Sequence, residues 1–175
     1  MVGTIFFVIN VFKTITYTPE GWEKQPAGAL LGSAIGYSGA ENIFRKKKRE
    51  HLVPLPVAAI ARGTVDMALN SGIILFTGVL ILVYMVAAVL GYSLEHSAID
   101  ALLYKNWFWW GLDLIADGLV LIFVAGTWYL LATMITGKKL FMQNIARAAL
   151  LLELVVSWTV WSHHLLADQA QPAIL

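Results

Sequence analysis

The charge pattern constrains this chain most. Residues 67–90 pass without one charged side chain, a run long enough to cross a bilayer as a helix of about 20 residues. Elsewhere the charges fall in clumps with uncharged stretches between them. Only 13% of residues are charged and 59% are hydrophobic, against about a quarter charged in a soluble domain. The pattern predicts an integral membrane protein, all-α, with its backbone hydrogen bonds closed inside helices.

Four apolar segments appear, at about 1–16, 57–90, 107–136 and 140–166. The first is short for a span and reads as the end of a longer helix. Its apolar start lacks the positive flank and cleavage site of a secretory signal. Residues 1–175 therefore read as one membrane domain of about four transmembrane helices, a partial chain within a larger bundle. Residues 18–54 read as a linker, holding a glycine-rich piece at 26–44 and then "RKKKRE". Short basic loops stay in the cytoplasm. "GKK" at Gly137 to Lys139 falls on the same side if each segment crosses once, which leaves 91–106 and the C-terminus outside. The run Arg45 to Arg49 reads as a solvated stop-transfer cluster rather than a specific lipid site. Nothing points to nucleic acid.

The chain has no cysteine, which excludes disulfides, iron–sulfur clusters and thiolate metal sites. Histidine and carboxylate remain as ligands. On segment two, Arg62, Asp66 and Asn70 share a stripe at i, i+4, i+8, so Arg62 and Asp66 are expected to pair. Asp113 and Asp117 share a face of segment three. On segment four, Glu153, Ser157, His164 and Asp168 share another. Charged groups inside a span are expensive and face a cavity, a partner or a protein interior. In the alternating topology, Asp113, Asp117, His163 and His164 all lie roughly 10–15 Å or less below the outer surface, at 1.5 Å per residue.

Plainer readings stand beside these. The histidines can sit at an interfacial helix end, and the aspartates can be helix N-terminal residues favoured by the dipole. Glu153 is either a paired structural carboxylate or a proton relay. Trp107, Trp109 and Trp110 read as an interfacial belt, and His51 and His96 as loop residues.

Three pieces carry a resemblance to the catalytic subunit of the heme–copper oxidase superfamily, closest to its B branch, which includes nitric oxide reductases. "FWWG" at Phe108 to Gly111 resembles the start of the sixth helix, "SHHLLAD" at Ser162 to Asp168 the end of the seventh, and "VGTIFFVINVF" at Val2 to Phe12 the end of the fourth. The separation from Leu112 to His163, 163 − 112 = 51 residues, fits the family's ligand spacing. The chain would then supply helices four to seven of a bundle of the twelve-helix type. The glycine-rich stretch at 26–44 departs from the family pattern.

The resemblance implies metal ligation by His163 and His164. The family's first histidine and its cross-linked tyrosine do not carry over, because Leu112 and Ala116 stand there and Asp113 replaces the proline. In oxygen reductases that tyrosine supplies an electron and a proton. Related nitric oxide reductases lack it and often bring a carboxylate to the non-heme metal, so Asp113 is the expected third ligand and iron is as suitable as copper. Asp168 would orient His164, and Asp117 and Glu153 would support charge or protons. Heme would be held by histidines on helices absent from this chain.

The reading that follows is part of a respiratory catalytic subunit in a prokaryotic cytoplasmic membrane, nitric oxide reductase-like in preference to cytochrome c oxidase subunit I. Its partners would be lipid, the remaining helices or another chain, heme, and an electron donor of cytochrome c or cupredoxin type. The rival is a non-catalytic accessory subunit with a decayed metal site.

Overall fold

The computed structural model describes residues 2–92 and 101–159. All regular structure among them is helical: α1 (Val2–Thr16), α2 (Ala27–Ala34), α3 (Tyr37–Phe44), α4 (Leu55–Val89), α5 (Ala101–Leu119), α6 (Thr127–Thr136) and α7 (Gln143–Thr159). A π-helical stretch, Val120–Gly126, joins α5 to α6. The fold is an all-α membrane helix bundle. Two helices, Leu55–Val89 and Tyr104–Thr136, are long and apolar enough to cross a bilayer.

The chain starts α4 at Leu55, directly after Pro54, with Pro56 in its first turn where a missing N–H costs nothing. The antiparallel α5 and π stretch pack along α4 through small residues. A Cβ on Gly63 would strike the Gly118 carbonyl, and one on Gly118 would lie 2.8 Å from the Gly63 carbonyl. Gly111 lies against Asn70 and Ile74, and Gly126 against Ile60. Glycine at each crossing lets the two backbones approach, the usual device in membrane helix pairs. Farther along, Phe76 and Trp107 meet with ring centroids 5.6 Å apart.

The glycine-rich stretch is more than a linker. It folds into α2 and α3, joined by Gly36 in the left-handed region (φ 93°). Leu30 and Ala34 pack with Ile15, Val53 and Ala61, while Gly36 and Gly39 seat α3 on the backbone of α7 around Arg147. Helix α5 already begins at Ala101, earlier than the apolar pattern alone suggests, and α7 begins at Gln143. The π stretch is also unforeseen. Its wider turn shifts the face that α6 presents, and such stretches recur at functional sites.

Candidate functional site

Helices α4 and α7 meet at Arg62. It lies about two turns into α4 with no solvent exposure. Its NH1 sits 2.5 Å from Asp66 Oδ1, and its NH2 sits 2.5 Å from Glu153 Oε2 on α7. Nε donates to the Leu150 carbonyl at 3.2 Å, and NH2 reaches Ser157 Oγ at 3.5 Å. The Ser157 hydroxyl lies 2.8 Å from Glu153 Oε1, its i−4 neighbour. The expected Arg62–Asp66 pair is therefore present, but it is buried rather than exposed. That changes its energetics, because a buried ion pair is held by low dielectric and must satisfy its desolvation. The third member, Glu153, comes from a helix far away in sequence.

Several further polar atoms on α4 and α5 are buried. Asp66 Oδ2, Asn70 Oδ1 and both side-chain polar atoms of Asn106 are buried without hydrogen-bond partners among the described residues. Asp117 and Glu153 both lie within electrostatic reach of Asp66. Asp113 is half-buried, one face round from the Gly111–Leu114–Gly118 stripe that meets α4. Asp113 and Asp117 each have an interaction partner.

Helices α5 and α7 touch directly. The Trp110 indole N–H donates to the Ser157 carbonyl at 2.9 Å. Trp107 and Trp110 are half-buried and, with Trp158 and Phe12, line an apolar groove of about 660 Å³. Only Trp109 keeps the exposure expected of a belt, at 43%. The i, i+3 spacing of Trp107 and Trp110 was the sign that both rings turn inward.

The expected metal ligands divide. His163, His164 and the supporting Asp168 lie outside the described residues, and so does His96. Among the described residues no three metal-binding side chains converge. Asp113 alone of the expected ligands is placed, three residues beyond Trp110 on the helix tied to α7.

A second polar cluster was not anticipated. His51 belongs to the loop before α4, yet its Nε2 lies 2.8 Å from Asn144 Oδ1 and its Nδ1 lies 2.9 Å from Ser38 Oγ. Asn144 Oδ1 only accepts, so Nε2 carries the proton and Nδ1 accepts from the serine hydroxyl. Burial, then the positive charge of Arg147, lower the His51 pKa from 6.5, while the Asn144 bond opposes them. The folded protein thus prefers neutral His51. Its contribution to stability is complete above pH 6.5 and is lost as pH falls from there through the lower folded pKa. Denaturant titrations across that range should show stability falling with acid, and His51→Gln should flatten this part of the profile.

The sequence as a whole decides the family. The model for cytochrome c and quinol oxidase polypeptide I matches residues 1–175. The chain belongs to that family. Comparison with curated proteins and with solved structures gives no match. Membership in the cytochrome c and quinol oxidase polypeptide I family places the chain in a membrane and makes heme and copper the cofactors of its kind. Arg62 and its two carboxylates form a polar cluster between α4 and α7.

Proposed function

We propose that the chain contributes the non-heme-metal half of a heme–copper catalytic site, of the B branch, and that the complete subunit reduces nitric oxide in preference to oxygen. The observation that carries this is "GLDLIADG" at residues 111–118. It puts Asp113 beside the position of the missing histidine and Ala116 at that of the missing tyrosine. The donor set would be His163, His164 and Asp113, two imidazoles and a carboxylate, which suits copper or iron. The Trp110–Ser157 bond supports a meeting of the two helices near that depth. A metal bound there would supply an electron and a Lewis-acid contact for a diatomic gas. Asp113 would bind it, and Asp168 would fix the tautomer of His164. Both oxygens of Glu153 are engaged, by Arg62 and by Ser157, so Glu153 anchors α7, and Asp117 would support charge or protons.

The basic end of the bundle would face the cytoplasm of a prokaryote. Electrons would come from a cytochrome c or cupredoxin. Turnover of the complete complex with each gas tests the reading, alongside metal analysis of two variants. Asp113→Ala should weaken metal retention beyond the roughly 10–100-fold loss typical of a supporting residue, and Asp117→Ala should not exceed it. Robust oxygen consumption with negligible nitric oxide turnover would establish a terminal oxidase instead. Leu112 at the first-ligand position favours one further rival, an accessory subunit, which a complex with no non-heme metal would establish.

A further inference from the structure

Arg49, expected to belong to a solvated stop-transfer cluster, instead lines a groove together with the distant Lys138 and Lys139. The groove measures about 970 Å³ and opens where α4 and α7 begin and α6 ends. Arg49, Lys138, Lys139 and Arg147 line it, opposed by Glu50, so its formal charge is 4 − 1 = +3 with His51 neutral. Gly137, in the left-handed region at φ 62°, ends α6 and leads the chain into the two exposed lysines.

Arg147 at this groove is the unusual residue. It is 1% exposed. Its NH1 and NH2 donate to the carbonyls of Ser33 at 3.4 Å and Val53 at 2.5 Å. Its Nε has no partner, and no carboxylate pairs with it among the described residues. An arginine stays charged in any protein environment. Burying that charge against neutral carbonyls alone is costly, and an anion in the groove would offset it.

The rest of the lining indicates which anion. Beside the cations run Leu130 on α6 and Leu55 and Pro56 on α4. Leu130 lies about 10 Å deeper along its helix than Gly137, at 1.5 Å per residue. Cations at the membrane surface with an apolar wall leading inward fit an amphiphile better than a free ion.

We propose that this groove binds an anionic phospholipid, its phosphate headgroup among Lys138, Lys139, Arg49 and Arg147 and its acyl chains along Leu130 and Pro56. The test uses the complete, detergent-purified complex, delipidated and titrated with phosphatidylglycerol or phosphatidylcholine, with bound lipid read by native mass spectrometry. Phosphatidylglycerol should bind selectively. The Lys138→Gln/Lys139→Gln double variant should bind it roughly thirtyfold more weakly, at about a factor of five or six per lysine. Glu50→Gln should bind it more tightly, a gain that misfolding cannot imitate. Equal binding of the two lipids, unchanged affinity in the lysine variant, or no gain in Glu50→Gln overturns the proposal. Displacement by excess inorganic phosphate overturns the lipid assignment in favour of a free anion.

Discussion

Replacing Arg62 with methionine is expected to destabilise the folded protein by about 3–5 kcal/mol, the cost of breaking a buried ion network by removing one partner. Asp66 has no solvent exposure to fall back on. Its Oδ2 already lacks a partner, and losing Arg62 would leave the whole carboxylate uncompensated beside Glu153 and Asp117. The Leu150 carbonyl would lose its donor as well. Lysine should rescue poorly, since one ammonium cannot reproduce the planar fork that reaches α4 and α7 together. Asp66→Asn should cost less, because the Arg62–Glu153 contact survives. The triple variant Arg62→Met, Asp66→Asn, Glu153→Gln should recover much of the loss, as apolar replacement of a whole buried network often does. Denaturant titration of the complex in micelles reads all four. An Arg62→Met protein within about 1 kcal/mol of wild type would show that the pair is worth no more than an exposed one.

The parts of this network that the sequence disclosed are those that lie within one helix. Arg62, Asp66 and Asn70 share a face because of the helical period, and so do Glu153 and Ser157. All but Glu153 are buried. The bond between the two stripes was not legible. Periodicity says which residues share a face, but not which other helix that face meets. The same limit hid His51, an ordinary loop histidine in sequence, held between Ser38 and Asn144 in three dimensions. It also hid the pairing of Arg49 with Lys138 and Lys139 around one groove, although the alternating topology did place both loops at one end. Of the expected belt, Trp107 and Trp110 turn into the groove because their i, i+3 spacing puts both rings on one face, while Trp109 stays exposed. The candidate metal site rests on resemblance alone, and His163 and His164 lie outside the described residues.

The glycine-rich stretch yields the second large effect, and composition alone would spread it over the wrong residues. Gly36→Ala is expected to cost about 2–5 kcal/mol. A side chain in the left-handed region costs roughly 1–2 kcal/mol, and Gly36 sits there at φ 93°. Its new Cβ would also overlap the backbone carbonyl of Arg147, and forcing atoms into a packed contact typically costs 1–3 kcal/mol. The obstacle is backbone, so no rotamer change relieves it. Gly39→Ala should be nearly as harmful, because its Cβ would meet the Arg147 Cβ and the Asn144 carbonyl, 2.6 Å away. Gly28 and Gly32 are the controls. They lie in α2 with nothing within 4 Å of an added Cβ, so Gly→Ala there should be neutral or stabilising by up to about 1 kcal/mol through helix propensity. Displacing α3 would also move Arg147, which ties α7 to Ser33 and Val53. Gly36→Ala should therefore weaken anionic-lipid binding while Gly28→Ala leaves it unchanged. Unfolding titrations of the four variants decide the matter. If Gly36→Ala and Gly28→Ala prove alike, close approach of α3 to α7 does not hold this end of the bundle together.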